Sequence, residues 1–177
     1  FYPSRSRMQE MRGIENAIVD LVRLSGPRTG SEVQRETGTD SLLLWKTCKT
    51  SERLEVRSVG KRYMRLDRHV EGFARLSPSI LREFFTYSVV GDPGSRSALD
   101  ERCAALEGRI LEISRLKLER ARRMVSEVMD EYEDAARWAG RICFVLAGDI
   151  VYDMAHDVPR PERSTGKLVK GSDMDLV

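Results

Sequence analysis

Two carboxylates near the C-terminus are the residues of this sequence best suited to chemistry. Asp173 and Asp175 stand at i and i+2 in an apolar segment that follows Gly171 and Ser172. Successive side chains of a β-strand point to opposite faces, so both carboxylates are expected on one face. Such a pair suits Mg²⁺ or Mn²⁺ carrying a nucleoside triphosphate, because these cations prefer oxygen ligands and bridge carboxylates to phosphates. The alternative is a pair of solvated carboxylates at the end of an acidic strand.

A second feature lies upstream of this pair. The run from Ile142 to Ala147 is continuously apolar, which is typical of a buried strand, and Gly148 and Asp149 follow it at once. A strand that ends in a glycine turn is therefore expected here. Lys170 is placed to neutralise phosphate charge near the carboxylate pair, although lysines of this kind are more often surface residues that promote solubility.

These features together resemble a known family. A strand, a glycine turn, a basic loop and then Gly-Ser-Asp-Met-Asp-Leu-Val over 171–177 are similar to the polymerase-beta-like nucleotidyltransferase superfamily in its small bacterial and archaeal form. In that family a Gly-Ser or Gly-Gly turn contacts the triphosphate, and an Asp-x-Asp pair on the next strand holds two Mg²⁺ ions. The resemblance implies that Gly148, Gly171, Ser172 and Lys170 bind nucleotide, and that Asp173 and Asp175 are the catalytic metal ligands.

The sequence departs from the family pattern in three places. Asp149 stands where the family has a small neutral residue, and an acid there repels a triphosphate. Gly148 and Asp173 are further apart than in the family, so the segment 152–170 is expected to contain an insertion. The family's remaining catalytic carboxylate lies on a later strand, so the sequence up to Val177 is expected to be catalytically incomplete by itself.

Composition limits the class of protein. With 177 residues, 41% of them apolar and 33% charged, the chain is expected to be globular and mainly α with small β elements. No apolar run approaches the roughly 20 residues that span a bilayer, so no membrane partner is expected. The three cysteines, at positions 48, 103 and 143, are odd in number and far apart, which argues against a disulfide framework and favours the cytoplasm.

The first third of the chain begins with a pattern of short helices. Apolar spacing predicts an amphipathic helix from Met8 to Leu24. Thr29 and Glu32 have the spacing of a capping box for a second helix, which Gly38 ends. Asp40 is a suitable N-cap for a third helix, with Leu42, Leu43 and Trp45 expected to face inward.

A predicted β-hairpin follows the third helix. Its strands are expected over 54–59 and 62–67, joined by a glycine and a lysine. The elements from about residue 8 to 70 resemble the winged helix-turn-helix superfamily, which implies a third helix in a DNA major groove and a hairpin wing on the DNA backbone.

The charge of this region agrees with that resemblance. Six basic residues and two acidic ones lie between Arg53 and Arg68, whereas the whole chain is only +2. The alternatives are an ordinary solvated hairpin face, or a winged helix that packs on a protein. Nucleic-acid contact is predicted at Lys46, Lys49, Arg57, Lys61, Arg62 and Arg65.

The middle of the chain is predicted to be helical. Ser77 and Pro78 start a helix whose buried stripe ends at Val89, and the residues 92–94, Asp-Pro-Gly, then break the chain. This break is the expected domain boundary. The predicted division is a winged-helix domain over 1–91, a helical connector over 92–139 and the start of a nucleotidyltransferase-like domain over 140–177.

The connector is predicted to be one long helix. Ser97 and Asp100 form a second capping box, and the helix is expected to continue to about Trp138. Apolar residues at alternating spacings of four and three predict a coiled-coil seam through which two copies form a homodimer. A helix that lies along its own domain is the alternative. The seam residues are Leu99, Cys103, Leu106, Ile110 and Ile113.

Two functional classes are consistent with the sequence. The first is a metal-dependent nucleotidyltransferase whose winged helix holds a nucleic acid or protein substrate. The second is a winged-helix transcriptional regulator whose nucleotidyltransferase-like domain has lost activity and senses a nucleotide or only dimerises. A further acidic residue on an apolar strand after Val177 would favour the enzyme.

Overall fold

The computed structural model describes residues 5–60, 78–131, 135–138, 140–161, 168–172 and 174–176. The chain is mainly helical with small antiparallel sheets, which confirms the expected fold class at that level. None of the described helices is both long and apolar enough to cross a membrane.

The chain divides into two compact units, Phe1–Glu107 and Gly108–Val177. This boundary lies inside the long helix, whereas the sequence predicts a boundary at 92–94 and a separate connector. The physical reason is that the start of the long helix packs on the first unit. Leu99 is fully buried there, and a Cβ added to Gly91 would lie only 2.7 Å from its side chain.

Helices and a three-stranded sheet form the first unit. The strands are antiparallel in the order β1-β3-β2, and Val90 in the central strand lies opposite both Arg28 and Val56. All four residues of the central strand are buried. The described elements are α1 (Arg5–Ser25), β1 (Arg28–Thr29), α2 (Gly30–Thr37), α3 (Ser41–Thr50), β2 (Glu55–Ser58), α4 (Pro78–Tyr87), β3 (Ser88–Gly91) and the start of α5 (Arg96–Glu131).

Capping fixes where the second and third helices begin. The Thr29 hydroxyl accepts from the Glu32 N–H at 3.3 Å, and the Glu32 carboxylate accepts from the Thr29 N–H at 2.8 Å, so the predicted capping box is confirmed. Gly38 ends α2 at φ 64°, a conformation that glycine adopts without steric cost. The Asp40 carboxylate accepts from two backbone N–H groups of α3, at 3.0 and 3.1 Å.

Glu32 also connects α2 to α5. Arg102 donates from Nη2 to both carboxylate oxygens of Glu32, at 2.7 and 2.8 Å. Burial raises the pKa of Glu32, but the hydrogen bonds from Arg102 and from the Thr29 N–H outweigh burial and hold that pKa below its ordinary value. The same carboxylate therefore caps α2 and binds the first turns of α5.

The core of the first unit lies between α1, α2, α3, α4 and the sheet. Gly30 allows α2 to approach α4, because a Cβ at this position would lie 2.4 Å from the Phe84 carbonyl oxygen. Burial raises the pKa of the Cys48 thiol to about 12, so this thiol stays protonated in the core. The buried core residues are Ile18, Val19, Val22, Val33, Leu44, Cys48, Leu54, Phe84 and Val90.

Two side-chain predictions for this unit are wrong. Val89 is predicted on a helix face but lies in β3. The prediction failed because a strand buried on both faces has no alternation of polar and apolar residues that would identify it. Leu42 is predicted to face inward but is 45% exposed, whereas its neighbour Leu44 is fully buried. The predicted hairpin strand over 62–67 lies outside the described residues.

The start of α5 differs from the start of the predicted connector helix. Ser97 lies within the helix and its hydroxyl contacts Glu101 at 3.2 Å, so the second capping box is wrong. The carbonyl of Ser95 accepts the Leu99 N–H at 3.0 Å and takes the capping position. The described part of α5 runs from Arg96 to Glu131, and α6 covers Ala135–Trp138.

The residues of the predicted seam on α5 are buried or half-buried inside their own units. Leu99 is buried in the first unit, and Ile110 and Ile113 are buried in the second, while Cys103 and Leu106 are half-buried. This placement corresponds to the alternative in which the helix lies along its own domain.

The second unit combines the rest of α5 with short strands. β4 pairs antiparallel with β7, and β5 pairs antiparallel with β6. The described strand, 146–147, is shorter than the buried strand predicted over 142–147. Ile142, Phe144 and Val145 are exposed, and only 146–147 pair with a described partner. The described elements after α6 are β4 (Leu146–Ala147), a 3-10 turn (Asp149–Tyr152), β5 (Pro159–Pro161), β6 (Leu168–Lys170) and β7 (Asp175–Leu176).

Candidate metal and nucleotide site

The pairing of β4 with β7 places one predicted metal ligand beside the glycine turn. Asp175 is the register partner of Ala147, the residue directly before Gly148. Asp175 is exposed, while Met174 and Leu176 on either side of it are half-buried. This alternation is the one the sequence predicts for residues 174–176. The Asp175 carboxylate therefore emerges on the accessible face of a strand that adjoins the turn.

Gly148 makes the turn possible. Its φ of 90° and ψ of −166° are accessible to glycine but not to residues with a Cβ. The Gly148 carbonyl then accepts from the Val151 N–H at 3.2 Å, and the Asp149 carbonyl accepts from the Met154 N–H at 2.9 Å. The chain thus enters a tight 3-10 turn with Asp149 half-buried at its start.

An antiparallel pair of strands lies in the long interval between the glycine turn and the carboxylate pair. β5 and β6 pair with Pro159 opposite Lys170. The ladder continues beyond the strands, since the Gly171 N–H donates to the Val158 carbonyl at 3.2 Å. This pair of strands lies within the segment 152–170, where the sequence predicts an insertion. Lys170 lies at the end of β6, and its side chain is outside the described atoms.

Gly171 and Ser172 are held by α5 and by the loop before β5. Gly171 has φ +85°, and a Cβ there would lie 2.3 Å from the His156 carbonyl oxygen, so only glycine fits. The same His156 carbonyl accepts from the Ser172 N–H at 3.0 Å. The Lys117 ammonium donates to the Ser172 carbonyl at 2.5 Å and to its hydroxyl at 3.1 Å.

These contacts assign Gly171 and Ser172 a positioning role. Ser172 is only 8% exposed, and its hydroxyl also accepts from the His156 N–H at 3.2 Å. A hydroxyl oxygen that already accepts from two donors has no further acceptor capacity. Lys117 is a residue that sequence reasoning missed, although a lysine four positions after Ile113 on an apolar helical stripe is a signal for it.

The loop over 154–157 is bound to α5 by further polar contacts. The Ser114 hydroxyl donates to the Ile110 carbonyl at 2.9 Å and accepts from the Ala155 N–H at 3.0 Å. Arg109 binds Asp157 at 3.0 Å and Glu112 at 2.7 Å, and these carboxylates raise the pKa of the Arg109 guanidinium, Glu112 most strongly. One helix therefore anchors both the loop and the segment that leads into β7.

The metal-binding capacity of the site lies in carboxylate oxygens, which suit a hard divalent cation. Among the described residues, no group of three or more His, Cys, Asp or Glu side chains is arranged to hold a metal ion. Asp175 belongs to the described part of the chain, whereas Asp173 lies outside it. Asp175 is thus the one member of the predicted pair whose position is defined.

The predicted nucleic-acid residues fall into three groups. Lys46 and Lys49 are exposed on α3, as predicted. Arg57 is paired with Glu55 at 2.6 Å and with Asp100, and the hydrogen bond to Glu55 contributes most to raising the pKa of the guanidinium. Its charge is therefore already compensated within the unit. Lys61, Arg62 and Arg65 lie outside the described residues.

Comparison of the chain with protein-family models, with curated proteins and with solved structures finds no match.

We predict that Gly171→Ala destabilises the second unit more than Gly140→Ala does. Both glycines have positive φ, +85° and +76°, so both substitutions incur a backbone cost of about 1–2 kcal/mol. Only at Gly171 does the added Cβ collide with backbone, at the His156 carbonyl, since nothing lies within 4 Å of a Cβ at Gly140. Amide hydrogen exchange at Ser172 should accelerate in the first variant only. Equal protection of Ser172 in both variants would show that the close approach to His156 is wrong.

Proposed function

We propose that the protein is a metal-dependent nucleotidyltransferase that uses a nucleoside triphosphate and Mg²⁺ or Mn²⁺. The observation that supports this proposal most directly is the β4–β7 register, in which Asp175 pairs with Ala147 beside the Gly148 turn. A glycine turn after one strand and an acidic pair on its neighbour are the two features of the sequence that resemble this class of enzyme. Their adjacency is what the proposed chemistry requires.

Each residue has a distinct role in this proposal. Asp173 and Asp175 would hold the cation, which when bound neutralises phosphate charge and activates an attacking hydroxyl. Gly148 has no side chain, so the backbone of the turn leaves room for a phosphate. Lys170 supplies positive charge next to the same segment. Ser172 does not contact the nucleotide in this proposal; it positions the start of the segment that leads into β7.

The first unit is proposed to be a winged-helix module that contacts nucleic acid. Two observations support this proposal: the order of three helices along the chain with β1 between the first two, and the strand order β1-β3-β2 in the sheet. Lys46 and Lys49 on the third helix are exposed and available to phosphates. The charge of Arg57 is taken up by Glu55 and Asp100, so the proposed contact relies on α3.

A transcriptional regulator with a degenerate nucleotidyltransferase-like domain is the second candidate. Asp149 favours it, because a carboxylate directly after the turn glycine disfavours a triphosphate there. The two candidates differ in whether nucleotide binding depends on a metal.

We predict that the natural full-length protein binds a nucleoside triphosphate only when Mg²⁺ or Mn²⁺ is present. Replacing Asp173 and Asp175 together by Asn keeps the side-chain shape but removes the negative charge that holds the cation. The loss of affinity should exceed the roughly 10–100-fold cost of removing an outer-shell partner of a metal. Isothermal titration calorimetry with and without metal measures it.

Asp130→Asn, an exposed position on α5, is the control for loss of an acidic charge and should bind like the parent. If the parent binds no nucleotide with either metal, the enzyme proposal is wrong and the regulator replaces it.

We predict that replacing Lys46 and Lys49 by Ala weakens binding to duplex DNA. Each lost phosphate contact should reduce the slope of log binding constant against log salt concentration by about 0.9. The slope for the double variant should therefore be shallower than that of the parent by roughly 1.8. Arg12→Ala with Arg96→Ala removes the same charge from exposed positions on α1 and α5, and should leave the slope unchanged. Absence of detectable binding by the parent at about 50 mM salt would instead favour a protein-facing module.

A further inference from the structure

The buried stripe of α5 continues past the point where the second unit covers it. Ile110, Ile113 and Ala121 are at most 7% exposed. Met124 and Val128 follow at spacings of three and four and therefore lie on the same helical face. They are 37% and 52% exposed. The apolar face is thus longer than the surface that covers it within one chain.

The charges around this uncovered part are segregated along the helix. Arg120, Arg122 and Arg123 precede Met124, and Glu127, Asp130 and Glu131 follow it. All six side chains are exposed, and none of them forms an ion pair with another described residue. Among the described residues, these six charges therefore have no ion-pair partner.

We propose that this part of α5 (120–131) is a dimer interface that binds the same segment of a second copy in antiparallel orientation. Antiparallel packing brings the basic end of each copy to the acidic end of the other. Arg120 and Glu127 are seven residues apart and so lie on the same flank of the apolar stripe. A two-fold axis near Met124 then places each Arg120 opposite Glu127 of the partner subunit, twice by symmetry.

This surface differs from the seam over Leu99–Ile113 that the sequence predicts. That seam is occupied within the chain, whereas Met124 and Val128 remain accessible. The second copy also supplies what the exposed part of the helix lacks. Its stripe covers the apolar side chains, and its arginines lie beside the carboxylates over 127–131.

Sedimentation equilibrium at roughly 50 µM, above the micromolar limit of weak specific interfaces, tests the proposal. The natural protein should sediment as a dimer, and Met124→Ser with Val128→Ser should convert it to a monomer. Both side chains are exposed, so this substitution leaves the core of the unit intact. Leu111→Ser is the matched control, because Leu111 is 49% exposed on a different face of α5, outside residues 120–131, and should leave the dimer unchanged.

Charge reversal tests the antiparallel register. Arg120→Glu alone and Glu127→Arg alone each place like charges opposite one another and should be monomeric. An equimolar mixture of these two variants should form a heterodimer, since every facing pair is then of opposite charge. A monomeric parent, a dimer that survives Met124→Ser with Val128→Ser, or a mixture that stays monomeric would each overturn the proposal.

Discussion

The second unit depends on the contact between the Lys117 ammonium and the carbonyl and hydroxyl oxygens of Ser172. A hydrogen bond to a charged group contributes about 1.5–3 kcal/mol, more than a bond between neutral groups. This contact joins residues 55 positions apart and fixes the chain three residues before Asp175. The His156 backbone holds the same serine from the other side. These bonds hold Ser172 in place shortly before β7, which pairs with β4.

The proposed chemistry follows from that register. Asp175 gains an exposed position on a strand because Met174 and Leu176 pack behind it. The same pairing brings Asp175 beside the turn at Gly148, which Asp149 follows directly. Asp149 is the residue that decides between a working and a degenerate site, because its carboxylate either shares the cation with Asp175 or repels the phosphates.

Local features of the fold could be predicted from the sequence, and non-local ones could not. The capping box at Thr29 and Glu32 and the cap at Asp40 involve neighbours in the chain, so residue types and spacing are sufficient. Val89 lies in a strand buried on both faces, where periodicity carries no information. The Lys117–Ser172 contact depends on how α5 packs within its unit, which no local pattern encodes. The Asp175 strand was predictable because its alternation is local, whereas its partner and register were not.

In the proposed enzyme, Asp175 and the Gly148 turn form one cation site. Paramagnetic broadening of backbone amide signals by substoichiometric Mn²⁺, in the isotopically labelled natural protein, tests this site. The amide signals of Ala147, Gly148 and Asp175 should broaden first, while those of the acidic segment 127–131 of α5 should keep their width. Broadening over 127–131 with Ala147 and Asp175 unchanged would contradict it.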